Sequence, residues 1–202
     1  SWSASERLVG ALLCADGQLH YLAPCFEQDS INDFMLIDAP FHGWHEHQSP
    51  YLLFKQLCQQ LDINGTIALD ASAAYFLVDG LIKANPEQQF ISAEPLTQAC
   101  RMQKSANEIA LMQRAKDMTM AVQKAAAKIL RPGITTTEVT EFINLAHQKV
   151  GASGSSFCIV LFGIASSFPH GVKEAQTLKA NDWVLIDTGC LLHGYHSDIT
   201  RS

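Results

Sequence analysis

The stretch from Trp183 to Arg201 constrains this chain more than any other, because it reads as two short strands joined by a tight turn and carries two aspartates. Val184, Leu185 and Ile186 form an apolar, partly β-branched run that stops at polar and glycine residues, and a second run follows from Tyr195 to Thr200. Closing the hairpin about Leu192 and His193 sets Asp187 opposite Asp198 on one face. Ile186 and Ile199 are then opposed on the other face, where they can meet a core. Two like charges opposed on a half-buried sheet destabilise it unless a cation lies between them or one carboxylate keeps a proton. A hard divalent metal ion is the simplest remedy. The competing reading is a pair of surface aspartates flanking a turn, and the pairing alone favours neither. Leu192-His193 is not the Asn-Gly type of pair that two-residue turns prefer, so a bulge near Gly194 is the expected way for the register to shift.

The chain has 202 residues, enough for one large or two modest domains, and its 48% hydrophobic content is ordinary for a globular protein with a real core. A net charge of −6 without any basic cluster argues against nucleic acid or an anionic membrane as the main partner. No apolar run reaches the roughly 18 residues of a membrane span, and no charged leader with a cleavage site is visible. Six scattered cysteines with no C-x-x-C point to a reduced, cytoplasmic setting in which each is a small core residue. Both ends read as cut. The chain reaches an apolar strand run, Leu8 to Leu13, almost at once, and it stops just past the second strand of the hairpin with a sheet edge uncovered.

Between residues 8 and about 100, short β-like runs alternate with helical stretches. Strands are expected near 8 to 14, 18 to 23, 34 to 37 and 66 to 69, and helices near 26 to 33, 50 to 61 and 72 to 84. Ser49-Pro50 followed by Leu52, Leu53, Leu57 and Leu61 is a helix start with proline in the first turn. His42, His45, Glu46 and His47 could grip a metal, but Gly43 and Ser49-Pro50 set them on a loop without the i, i+4 spacing of a helical zinc motif. The plainer expectation is an exposed loop with Trp44 tucked against the domain.

A domain boundary is expected near Cys100 to Ser105, dividing the chain into residues 1–100 and 101–202, with Pro95 breaking the segment before it. Ser105-Ala-Asn-Glu108 is a capping box that opens a helix to Leu130, its stripe built from Ile109, Met112, Ala115, Met118 and Thr119. The methionines read as core. Thr135-Thr-Thr-Glu138 opens a second helix to Gly151, and Phe157 to Phe162 reads as a buried strand. Next comes Pro169-His170-Gly171. A histidine held between proline and glycine sits on a constrained turn, where its ring can be offered to a cleft, although an ordinary loop histidine looks the same.

Asp187-Thr-Gly189, Gly194-Tyr-His-Ser-Asp198 and Ile199-Thr-Arg201, with eleven residues between the aspartates, resemble the metal-binding hairpin of the pita-bread metallopeptidases. That family includes aminopeptidase P, prolidase, creatinase and methionine aminopeptidase. Arg101-Met102, Lys104-Ser105, Glu108-Ile109, Arg131-Pro-Gly133 and Thr137-Glu138 resemble the entry to its catalytic domain, and residues 1–100 resemble the creatinase-type domain that precedes it. The resemblance implies an α/β amino-terminal domain followed by the first half of an α+β pita-bread domain. It also implies two divalent ions (Mn, Co or Zn), with Asp187 binding one and Asp198 bridging both. His170 would hold a proline-containing peptide and stabilise the tetrahedral species. The family completes its site with a histidine and two glutamates further along, so the fragment itself is expected to be inactive. An Xaa-Pro aminopeptidase or dipeptidase, homodimeric by family resemblance, is the expected full-length protein. Two alternatives stand beside it. One is a non-catalytic pita-bread protein that binds peptides or proteins. The other is a carboxylate metallohydrolase acting on phosphate esters, disfavoured because no phosphate cradle is visible.

Overall fold

The computed structural model describes residues 6–202. The described residues divide into two compact units, the first ending at residue 102 and the second spanning 103–202.

In the first unit, β1 (Gly10–Leu13) and β2 (Leu19–Pro24) form an antiparallel hairpin, and β3 (Phe41–Trp44) joins β2 in parallel after the short helix α1 (Gln28–Phe34). Helix α2 (Pro50–Gln60) begins as the sequence predicts, with Pro50 in its first turn and Ser49 Oγ accepting the Leu52 N–H. The strands β4 (Ile67–Leu69) and β5 (Phe90–Ser92) pair in parallel across helix α3 (Tyr75–Ala84), and α4 (Glu94–Met102) ends the unit. Leu8, Leu22, Phe54, Leu57, Cys58, Ile67 and Leu81 form its main core.

Three local expectations fail here. Residues 34–37 form no strand: α1 runs through Phe34, and the apolar residues that follow are its exit, with Leu36 and Ile37 exposed. The strand falls instead on Phe41–Trp44. A Cβ on Gly43 would lie 2.6 Å from Cys25 Sγ, so the glycine that suggested a loop is what lets this strand pack closely. Pro95 opens α4 instead of breaking a segment, while Ser92 Oγ accepts the Glu94 N–H.

In the second unit, α5 (Ala106–Ala127) and α6 (Thr136–Lys149) both start with complete capping boxes, Ser105 with Glu108 and Thr135 with Glu138. The first helix ends at Ala127, short of the expected Leu130. Strands β6 (Phe157–Phe162), β7 (Val184–Gly189) and β10 (Ile199–Arg201) form an antiparallel sheet with β7 in the middle. The strands β8 (Leu191–Leu192) and β9 (Tyr195–His196) form the hairpin tip. Alternation gives this sheet two unlike faces. Val160, Phe162 and Ile186 pack with Val122, Ala126, Val139 and Ile143 of the two helices, whereas Ile159, Leu185 and Asp187 project to the other face. The buried stripe of α5 is Ala115, Met118, Thr119, Val122, Gln123 and Ala126; Ile109 and Met112, expected on it, are exposed.

Candidate metal centre

The hairpin closes one pair beyond the predicted register. Asp187 pairs with Thr200, Ile186 with Arg201 and Thr188 with Ile199, while Leu191 and Leu192 pair with His196 and Tyr195 at the tip. The turn explains the difference. Its central residues are His193 and Gly194, with φ of 47° and 84°, the positive pair that a two-residue hairpin turn needs. The predicted turn would have put Leu192 in the left-handed region, at a cost of about 1–2 kcal/mol.

The correction changes the partner but not the face. Asp198 lies just before β10 and is exposed, while the preceding Ser197 is buried against α5, so the alternation of β10 carried back from Thr200 sets Asp198 on the side of Asp187, diagonal to it and not directly opposite. Diagonal neighbours in an antiparallel pair lie about 7–8 Å apart at Cα, a span that carboxylate side chains converging on shared cations can bridge. Thr200 Oγ1 donates to Asp187 Oδ1 at 2.7 Å and fixes the plane of that carboxylate, which keeps lone pairs for a cation. Asp187 is half-buried and Asp198 is exposed. The glycine of Asp-Thr-Gly has a steric reason as well: a Cβ on Gly189 would lie 1.8 Å from the Ser197 carbonyl oxygen.

His170 lies on a β-turn in which the Gly171 N–H donates to the Phe168 carbonyl, with Pro169 at the second position and Gly171 at φ 84°. Its exposed ring lines a groove of about 550 Å³ together with Thr136, Thr140 and Asn144 of α6 and Ile159 of β6. Ile159 is the direct cross-strand partner of Asp187, so the groove and the aspartate face meet at that residue. Neither aspartate lines the groove. Among the described residues, no group of three or more His, Cys, Asp or Glu is arranged to hold a metal ion.

The histidine-rich stretch of the first unit is split between a strand and a turn. His42 Nε2 lies 3.1 Å from His20 Nδ1, His45 and His47 stack with centroids 5.9 Å apart, and Glu46 pairs with Arg7 at 2.8 Å. Trp44 is buried, as expected.

Other residues that hold the hairpin in place escape a motif search. Gln123 Nε2 donates to the Ile186 carbonyl at 3.1 Å and to the Ile199 carbonyl at 2.9 Å, tying both hairpin strands to α5. Tyr195 Oη donates to Glu108 Oε1 at 2.8 Å, tying the hairpin tip to the same helix. Hydrogen bonds from the Ser105 backbone first, then from Tyr195, bring the Glu108 carboxyl down to about 2. His147 is fully buried beside Thr119, and burial lowers its pKa, so it is neutral at physiological pH. The only sequence signal for Thr119, Gln123 and His147 is polar chemistry at helical positions that otherwise carry apolar residues.

Comparison with known proteins identifies the family. Residues 110–202 match the profile described as metallopeptidase family M24, and residues 3–103 match that of the creatinase/prolidase N-terminal domain. The chain belongs to the creatinase/prolidase-type M24 metallopeptidases. An uncharacterised peptidase of Schizosaccharomyces pombe is 30% identical over 213 residues, covering 100% of this chain and 46% of its own length. A crystal structure of a dipeptidase from Mycobacterium ulcerans aligns with TM-score 0.89 at 25% identity, over 99% of this chain and 54% of that one. An Xaa-Pro dipeptidase from Bacillus anthracis shares the fold with TM-score 0.77 at 23% identity, over 98% and 55%. The chain thus spans about half the length of the relatives it matches. M24 membership implies divalent metal ions, and two hard carboxylates on one sheet face are the kind of donor such ions take.

Proposed function

We propose that the full-length protein hydrolyses peptide bonds preceding proline, as an Xaa-Pro dipeptidase or aminopeptidase. Asp187 and Asp198 would hold two divalent ions of the manganese, cobalt or zinc kind. The observation that carries this reading is the placement of both aspartates on the sheet face away from α5 and α6, with Thr200 orienting Asp187. The names of the M. ulcerans and B. anthracis proteins, a dipeptidase and an Xaa-Pro dipeptidase, point the same way.

Divalent ions, when bound, supply Lewis acidity and make hydroxide available near neutral pH. The chain does the rest. Thr200 holds the Asp187 carboxylate in one orientation. His170, fixed on its turn, binds the peptide and directs a ring N–H at the carbonyl oxygen as charge builds there. Ile159 and Leu161 form an apolar wall of the groove beside it, suited to a proline ring. Two carboxylates leave most of the coordination of two ions to other donors, so the 202-residue chain alone is proposed to bind metal weakly and to hydrolyse no peptide. The proposed setting is the cytoplasm, in keeping with six free cysteines, and the proposed assembly is a homodimer.

The test is to assay the full-length protein on Xaa-Pro dipeptides and longer peptides, with manganese and after chelation. Hydrolysis that disappears on chelation, and a kcat about 10²–10³ lower in His170→Ala, are expected. Peptide binding without cleavage by the metal-loaded protein would instead favour a binding module, and cleavage of phosphate esters alone would end the peptidase reading.

A further inference from the structure

At the rung where the hairpin narrows toward its tip, the regular ladder is interrupted. The Ser197 N–H donates to the Cys190 carbonyl at 2.9 Å, as a ladder requires, but the Cys190 N–H donates to the Ser197 hydroxyl, also at 2.9 Å. That hydroxyl starts a buried polar train. Ser197 Oγ lies 2.7 Å from Thr119 Oγ1 on α5, Thr119 Oγ1 lies 3.0 Å from His147 Nε2 on α6, and His147 Nδ1 lies 2.9 Å from Ser155 Oγ. Ser155 is anchored in turn, its N–H donating to Asn144 Oδ1 at 3.0 Å. Thr119, His147 and Cys190 are fully buried and Ser197 is 4% exposed.

A neutral imidazole has one donor and one acceptor nitrogen, which matches the hydroxyls at its two edges, so each member of the train has partners. The place where it ends gives it meaning. Ser197 is bonded directly to Asp198, and Cys190 follows Asp187 by three residues, so the rung the train clamps is the backbone between the two carboxylates. Stability alone does not call for such a train, because apolar residues of similar shape in place of a buried polar pair are often neutral or stabilising. A satisfied buried network fixes one arrangement of the groups it joins.

We infer that Thr119, His147 and Ser197 are positioning residues that hold the hairpin backbone so that Asp187 and Asp198 meet their cations in one geometry. This rests on the proposed metal site. The ligands themselves do not touch Thr119 or His147; the effect is carried by the 190–197 rung. Groups hydrogen-bonded directly to metal ligands typically contribute 10–100-fold in affinity; these residues act one step further out, so the lower end of that range is the expected effect.

The test compares full-length wild type with Thr119→Val, which keeps the shape of the side chain and removes its hydroxyl, and with Thr119→Ser, which keeps the hydroxyl. Manganese affinity is measured by calorimetry. Thr119→Val should bind manganese about tenfold or more weakly, and Thr119→Ser should stay within about twofold of wild type. Backbone hydrogen exchange of the metal-free protein should quicken at residues 197–199 in Thr119→Val and not in Thr119→Ser. If Thr119→Val loses thermal stability yet keeps wild-type manganese affinity, the train is packing only and the inference fails. Should that variant not fold, Ser155→Ala, which trims the half-exposed far end, carries the test, and unchanged affinity there counts against the inference. A wild-type protein that takes up no divalent metal would overturn the proposed function itself, an outcome told apart by appearing before any substitution is made.

Discussion

Each unit carries a histidine at the interior of its sheet or helices, and the two are treated differently. His147, in the second unit, is fully buried with a hydroxyl at each ring nitrogen. His20, in the first unit, is 7% exposed; its Nδ1 meets His42, while its Nε2 is buried without a hydrogen-bond partner among the described residues, as is Trp44 Nε1. A buried polar atom left unpaired costs about 1–3 kcal/mol. The unit with the candidate site spends its buried polar groups on a closed network that ends at the hairpin, and the other unit tolerates an open one. The contrast fits a first unit that needs only to fold and a second that must hold two carboxylates in register.

The comparison is sharpest in paired substitutions. His147→Leu leaves the Thr119 and Ser155 hydroxyls without their common partner, and about 3 kcal/mol of stability should be lost. His20→Leu removes an atom that already lacks a partner and leaves only the partly exposed His42 to turn toward water, so its cost should stay below about 1 kcal/mol. Urea denaturation of both variants measures the difference. Equal losses would erase the distinction between the units.

Gln123 supplies the next largest effect. One amide spans α5 to the carbonyls of Ile186 and Ile199, so Gln123→Leu strands one buried and one part-buried acceptor at once and should cost about 2 kcal/mol. Hydrogen exchange should loosen β10 before β6, because Gln123 bonds β10 directly at Ile199 and β10 pairs with β7 over three residues, against six for β6. Uniform loosening would mean that the clamp is not specific to the hairpin.

Lowering the pH should separate the histidines less strongly. Burial lowers the pKa of His147, and burial, followed by the neighbouring His20, lowers that of His42. In both cases the unfolded chain takes up protons first, so the stabilising share of each is complete above the ordinary histidine value of 6.5. It is lost as pH falls below 6.5 through the depressed folded value. NMR titration of the ring carbons should show both depressions. Either ring titrating at or above 6.5 would contradict the burial on which its share of the comparison rests.

What could be read in advance followed from how local the determining physics was. Both capping boxes, the proline start of α2 and the strand Phe157–Phe162 depend on residues within one or two turns of each other, and they stand as expected. The turn at His193-Gly194 depends on which residues tolerate positive φ, a preference that disfavours Leu192-His193 and favours the next pair. Gly43 misled because its reason, the sulfur of Cys25, lies 18 positions away in sequence. Gln123 and the bonding role of Thr119, which the sequence places only on the helix stripe, were hidden for the same cause: their partners lie 28 to 78 residues distant. Moving the turn by one residue changes the register by two, an even shift that conserves alternation and leaves the two aspartates on a common face.

The smallest expected effect lies at the hairpin tip. Glu108 belongs to the capping box of α5 and also accepts from Tyr195, so one carboxylate serves both the helix start and the hairpin. Its folded value of about 2 lies below the ordinary value of 4.5, so its contribution is complete above 4.5 and is lost as pH falls from there toward about 2. Tyr195→Phe removes the second-largest cause of that depression and leaves the first, the Ser105 backbone bond. The Glu108 titration should therefore move up in pH without reaching 4.5, and the acid transition of the second unit should move up with it. The first unit, which has no part in this bond, should keep its own acid transition. A Glu108 titration unmoved by Tyr195→Phe would show that the capping box alone sets the carboxyl, and that the tip is held to α5 by packing around Cys190 and Leu192.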